Sequence, residues 1–123
     1  MRIHESAEDY LEQILLLEKE NGSVRSIDIV HSLGYSKPSI SRAVKNLREN
    51  GYIEVGNKGI ITLTEKGRKI AQDIYERHEL LCNCFQTLGV SKEVALRDAC
   101  KVEHDLSEET FEAIKKYYEK IKS

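Results

Sequence analysis

The sequence predicts a mainly α chain with one small β element. Three observations carry this. Apolar residues recur at helical spacing over six stretches, and two β-rich runs flank a glycine-bracketed turn near the middle of the chain. No apolar run approaches the ~18 residues that a membrane span requires, so no membrane contact is expected.

Ala7, Leu11, Ile14 and Leu15 place the first helix over residues 6–20, with Ser6 as N-cap and Asn21-Gly22 as the stop. Ser26 caps a second, short helix reaching Leu33, with Ile27, Val30 and Leu33 inward, and Gly34-Tyr35 turns the chain. Ser36 caps a third helix with Pro38 in its first turn, where a missing N–H costs little. Its buried face is Ile40, Val44 and Leu47, and Asn50-Gly51 ends it. Tyr52–Val55 and Ile60–Leu63, on either side of Gly56-Asn57-Lys58-Gly59, form a hairpin. Helix resumes after Thr64 and runs to about Leu88. A fifth helix covers Ser91 to about His104, and a sixth starts at Ser107 and carries Phe111, Ile114, Tyr117, Tyr118 and Ile121.

The chain has 123 residues, 40% hydrophobic and 33% charged, which suits one compact domain or two small ones packed together. The net charge of −2 argues at first against a nucleic-acid partner, but it is unevenly spread. Residues 36–69 hold eight Lys/Arg against three acids, whereas residues 72–123 hold eight against eleven. A basic module joined to an acidic one is the pattern of a DNA binder. Cys82, Cys84 and Cys100 are odd in number, which implies no disulfide framework and fits a reducing compartment. MRIHESAEDY offers no apolar signal segment, so a cytoplasmic location is expected.

Helix, helix, turn, helix and a two-stranded wing is the order of a winged helix-turn-helix. The third helix is the candidate reader, since an α-helix fits the major groove of double-stranded DNA. Ser36, Ser39 and Ser41 offer hydroxyls to phosphates or base edges, and Arg42 is best placed for guanine. Lys37, Lys45, Arg48 and the wing residue Lys58 suit phosphates, as does Arg25 beside the second helix's start. Any one of these alone reads equally well as solvated surface; the ordered set does not.

Cys100, Glu103 and His104 stand at i, i+3 and i+4, so one helical turn aims thiolate, carboxylate and imidazole at a common point. That mixture suits a borderline transition metal. Asp9 and Glu12, at i and i+3, share a face of the first helix, and His78 lies midway along the fourth. Three helices thus offer ligands for one or two ions. Taken singly, the acidic pair reads as surface and Cys100 as a small apolar side chain.

Five segments carry a family resemblance: AEDYLEQI (7–14), SKPSISRAV (36–44), LTEKG (63–67), RHELL (77–81) and ACKVEHDLS (99–107). In order and spacing they resemble the DtxR/MntR family of metal-dependent repressors, over nearly the whole chain. The resemblance implies a winged helix-turn-helix DNA-binding domain over residues 1–71, followed by an all-α metal-binding and dimerisation domain over 72–123. It implies a homodimeric, metal-activated repressor of metal-uptake genes on a palindromic operator. It assigns the metal to Asp9, Glu12, His78, Cys100, Glu103 and His104, and base reading to the helix from Ser36, including Pro38, Ser39, Ser41 and Arg42.

The chain is a hybrid within that family. Manganese-sensing members are similar at Asp9 and Glu12 but carry a carboxylate where Cys100 stands. Iron-sensing members share the cysteine but have methionine where Asp9 stands. The expected activator is Fe²⁺ or Mn²⁺, with the thiolate favouring Fe²⁺ and allowing Zn²⁺ or Co²⁺ in vitro. Cys82 and Leu96 replace the Glu and His of the iron sensors' ancillary site, leaving His78 and Cys82 as a partial second site. The end at Ser123 leaves no room for an SH3-like domain, as in the manganese-type members. Val94, Phe111, Ile114 and Tyr118 are candidates for the dimer contact. An enzyme is not expected: HELLC (78–82) lacks the second histidine of a zincin, and no phosphate loop or catalytic triad appears. No organic cofactor is expected. The rival reading is a metal-independent winged-helix regulator sensing a thiol oxidant or a small ligand.

Overall fold

A computed structural model describes residues 5–122. The chain divides into two compact units, Met1–Asp73 and Ile74–Ser123. The architecture is the one the sequence predicts, six helices and one two-stranded antiparallel sheet.

The first unit contains α1 (Glu5–Asn21), α2 (Ser26–Leu33), α3 (Lys37–Glu49), β1 (Ile53–Val55), β2 (Ile61–Leu63) and the start of α4 (Glu65–Thr87). Leu11, Ile14, Leu15 and Leu17 form the apolar stripe of α1, and bury against Val24, Ile29, Ile40, Leu47, Ile53 and Ile61. Each such side chain contributes about 1.5–3 kcal/mol by leaving water. The α2–α3 turn is made by Gly34 at φ 73°, a left-handed conformation that glycine adopts without steric cost. Its N–H donates to the Val30 carbonyl at 2.8 Å. Ser36 then caps α3, its side chain accepting from the Ser39 N–H. This short, capped connection holds α3 against α2 with its polar side outward.

The wing pairs Ile53 with Leu63, Glu54 with Thr62 and Val55 with Ile61. The Ile61 N–H also donates to the Val24 carbonyl at 2.7 Å, so the segment before α2 pairs with the start of β2. The wing's tip is one tight turn at Asn57–Gly59, with Lys58 at φ 65°. Behind the wing, Thr64 caps α4: its Oγ1 accepts from the Gly67 N–H at 3.1 Å and donates to the Gly51 carbonyl at 2.7 Å. Gly67 lies so close to the wing that an added Cβ would sit 2.0 Å from the Tyr52 carbonyl oxygen. Arg68 forks onto Glu18 through two contacts of 2.9 and 3.2 Å, tying α4 to α1.

The second unit contains the rest of α4, α5 (Lys92–Val102) and α6 (Glu108–Lys122). Its core is Leu81, Cys82, Ala95 and Ala99, packed by Phe85, Val90, Val102, Leu106 and Ile114. Ala95 and Ala99, four apart, put one face of α5 into this core. Ser91 and Ser107 cap α5 and α6, accepting from the N–H groups of Val94 and Thr110.

Four local expectations are corrected. Ser6 lies inside α1 and so does not cap it. The cap of α2 is Arg25, whose backbone N–H donates to Asp28 Oδ2 at 2.9 Å, one residue before Ser26. The inward residue of α2 is Ile29, whereas Ile27 is 40% exposed. Phe111 is only 4% exposed and belongs to the interior of the second unit; the large apolar side chains left open there are Leu88, Leu96, Tyr117 and Ile121.

Candidate metal centre and nucleic-acid face

The second unit gathers three of the expected metal-binding residues. His78 is held midway along α4, Cys100 lies in the last turn of α5, and Glu103 is that helix's C-cap. His78 Nδ1 lies 2.9 Å from Glu103 Oε2 and 3.8 Å from Cys100 Sγ. One donor atom from each of the three falls within 4.8 Å of the others. His104 Nε2 is 3.5 Å from Glu103 Oε1. Glu103 and His104 are almost wholly buried, whereas Cys100 is exposed. Burying a carboxylate is costly unless a cation or a donor faces it. His78 supplies one such partner. The mixed nitrogen, sulfur and oxygen donors fit a borderline divalent transition metal.

The helix carrying this cluster is shorter than its spacing suggests. α5 stops at Val102, with Glu103 as cap and His104 in the turn that follows. The cluster is therefore built from a helix end and a turn, not one continuous helical face. That turn is fastened from α4 by Arg77, whose Nη1 donates to the carbonyls of Glu103 at 3.1 Å and Leu106 at 2.8 Å. Sequence reasoning missed Arg77, because its role lies in binding main-chain oxygens; its only signal was its place beside His78 in RHELL.

The remaining expected ligands are borne on α1 and α4. Asp9 is exposed and Glu12 half-buried, three apart on α1 of the first unit. Cys82 is buried in the apolar core of the second unit, where Gln86 Nε2 approaches its Sγ at 3.4 Å. Cys84 is half-buried, and that burial raises its thiol pKa above the ordinary value.

On the first unit, α3 buries Ile40 and Leu47 and turns Lys37, Pro38, Ser41, Arg42 and Lys45 to solvent. Ser39 is half-buried; its Oγ accepts from Ser36 Oγ at 2.9 Å and from Arg42 Nη2 at 3.5 Å. This chain of polar contacts runs along the first turns of the helix and orients the guanidinium. A shallow groove of about 300 Å³ is lined by Ser41, Arg42, Val44, Lys45, Arg48 and Val55, so the basic side chains of α3 face the wing. Arg25 and Lys58 are exposed, at the start of α2 and at the wing's tip. Among the described residues no helix is long and apolar enough to cross a membrane.

Residues 2–60 match the family model of the iron dependent repressor N-terminal DNA binding domain, and residues 64–123 match that of the iron dependent repressor metal binding and dimerisation domain. The transcriptional regulator MntR of Escherichia coli O6:H1 is 40% identical over 116 residues, covering 94% of this chain and 75% of its own length. A manganese-dependent transcriptional repressor solved in complex with manganese superposes with a TM-score of 0.79 at 27% identity, covering 88% of this chain. The manganese regulator SloR superposes at 0.80 with 24% identity over 92% of this chain, a likeness of fold. The chain spans about half the length of these two solved structures, 50% and 53%.

Proposed function

Since the chain belongs to the iron-dependent repressor family, whose members are metal-dependent transcription regulators and not enzymes, we propose that a divalent metal bound by His78, Cys100 and Glu103 switches on DNA binding through α3. One observation carries the reading: a nitrogen, a sulfur and an oxygen donor, from residues up to 25 apart in sequence, lie within one ion's reach.

His104 is proposed as a further ligand because it follows Glu103 directly in the same turn. Asp9 and Glu12 are proposed as ligands from α1, on their i, i+3 spacing and their place in the AEDYLEQI motif. Cys82 is proposed only as a partner of His78 in a second, partial site. The metal supplies positive charge that offsets the mutual repulsion of the clustered carboxylates and thiolate. The Cys100 thiolate favours Fe²⁺ over Mn²⁺, with Zn²⁺ and Co²⁺ as in vitro substitutes; the manganese relatives keep Mn²⁺ as the competing activator.

Residues 1–71 are proposed as the DNA-binding domain and residues 72–123 as the metal-binding and dimerisation domain of a cytoplasmic homodimer. Its operator is a palindrome upstream of metal-uptake genes, with half-sites about one helical turn, ~34 Å, apart. Arg42 reads guanine, with Ser36, Pro38, Ser39 and Ser41 lining the reader's approach to the bases. Lys37, Lys45, Lys58 and Arg25 take phosphates. A coupling free energy of roughly 1–3 kcal/mol raises operator affinity about 5–150-fold on metal binding.

Fluorescence-anisotropy titration of operator or random-site DNA tests this, with Mn²⁺, Fe²⁺, Co²⁺ or Zn²⁺ and with EDTA as control. Metal-dependent binding that His104→Ala abolishes is the expected result. A full metal response in that variant removes His104 from the site. Binding indifferent to EDTA but lost on mild oxidation supports the thiol-sensing alternative instead.

A further inference from the structure

We propose that Arg77 is a positioning residue for the metal centre, acting by clamping the main chain of the turn that carries Glu103 and His104. The inference rests on the metal reading of that cluster. α5 ends at Val102; its cap, Glu103, keeps the last helical bond, and the residues after it leave the helical ladder. The turn is short of internal restraint: Glu103 and Asp105 donate backward to the carbonyls of Ala99 and Val102, which leaves the carbonyls of Glu103 and Leu106 to be satisfied from outside.

Arg77 satisfies both. One nitrogen, Nη1, donates to the Glu103 carbonyl at 3.1 Å and to the Leu106 carbonyl at 2.8 Å. Nη2 is 3.6 Å from Glu108 Oε2, and the guanidinium stacks over the Phe111 ring, 5.1 Å from its centre. The side chain is only 14% exposed, whereas Glu108 is 84% exposed. The ion pair is therefore the weaker anchor, and the carbonyl bonds and the buried ring set the geometry. Because Arg77 precedes His78 on α4, the same backbone that presents the imidazole also fixes the height of the turn opposite it. The two N–H groups of Nη1 are held in fixed directions by the guanidinium plane, which stacks on Phe111; a lysine ammonium rotates freely and has no such plane.

Wild type, Arg77→Met, Arg77→Lys and Glu108→Gln are compared by competition titration with Co²⁺ and Zn²⁺ against a chromophoric chelator. The sulfur-to-cobalt charge-transfer band reports whether Cys100 and the rest of the cluster close on one ion. Circular dichroism of the metal-free proteins reports folding. Expected is a 10–100-fold loss of affinity in Arg77→Met, the range for removing a group that orients a ligand, with a weakened or shifted cobalt band. Glu108→Gln stays within twofold of wild type, and Arg77→Lys does not restore affinity.

Wild-type affinity and an unchanged band in a folded Arg77→Met overturn the proposal, as does a Glu108→Gln loss equal to that of Arg77→Met. Where Arg77→Met does not fold, Arg77→Lys decides: a tenfold loss supports the clamp, and affinity within twofold of wild type overturns it. Failure of wild type itself to bind either metal removes the metal reading and the clamp together, and so is distinct from failure of the clamp alone.

Discussion

The imidazole of His78 and the carboxylate of Glu103 approach to 2.9 Å across 25 residues of sequence, and the Cys100 thiol lies 3.8 Å from the same ring nitrogen. Removing either partner leaves the other without its principal neighbour in a confined site. His78→Ala and Glu103→Gln are expected to lower Co²⁺ affinity at least tenfold. Cys100→Asp is expected to shift preference from Zn²⁺ towards Mn²⁺, because oxygen donors suit the harder ion. Isothermal titration with each metal measures both effects, and an unchanged rank order in Cys100→Asp counts against the thiolate as a ligand.

Lys58 combines a strained backbone with a charge at the wing's tip. Its φ of 65° disfavours any side chain with a Cβ. Lys58→Gly is therefore expected to raise stability by about 1 kcal/mol while weakening DNA binding. The dependence of log affinity on log salt should flatten by about one unit, as for one lost phosphate contact. Denaturant melts and salt-titrated anisotropy read the two halves separately, and a salt slope equal to wild type removes Lys58 from the interface.

Gly67 has no room for a methyl group, since its Cβ would meet the Tyr52 carbonyl oxygen at 2.0 Å. Backbone cannot rotate aside as a side chain can, so Gly67→Ala should destabilise the first unit by roughly 1–3 kcal/mol. An unchanged urea midpoint would contradict the close approach of α4 to the wing.

The three thiols differ in access. Cys100 is exposed, Cys84 is half-buried with its pKa raised by that burial, and Cys82 is buried. A raised pKa lowers the reactive thiolate fraction near neutral pH. Alkylation by iodoacetamide, followed by mass spectrometry, should therefore modify Cys100 first, then Cys84, then Cys82. Prior addition of Zn²⁺ should protect Cys100 alone; equal rates with and without the metal would argue that Cys100 does not ligate it.

Much of the fold is legible in the sequence because its signals are local. Ser36 ahead of Lys37-Pro38, Gly34 after Leu33, and two β-rich runs around Gly56 and Gly59 each act within a few residues. The inward face of α2 was misread because eight residues make barely two turns, and Ile27 and Ile29 look alike until neighbours choose between them. The pairing of Val24 with Ile61 had no signal, since a single bridging residue has no period. Within the candidate centre, Cys100, Glu103 and His104 announced themselves by type and spacing. The end of α5 before Glu103 did not, because it depends on main-chain oxygens captured by Arg77 from another helix.

The two ends of the wing are held very differently. At its root the Thr64 N–H donates to the Tyr52 carbonyl at 3.0 Å, and further along β2 the Ile61 N–H donates outside the hairpin to the Val24 carbonyl at 2.7 Å. The residues from Gly56 to Ile60 are closed only by bonds among themselves. Substitutions or changes of length in that outer loop leave the hydrogen bonds of the root in place. The loop is thus a segment that divergence can rewrite to suit a different stretch of DNA, while the scaffold that carries it keeps its stability.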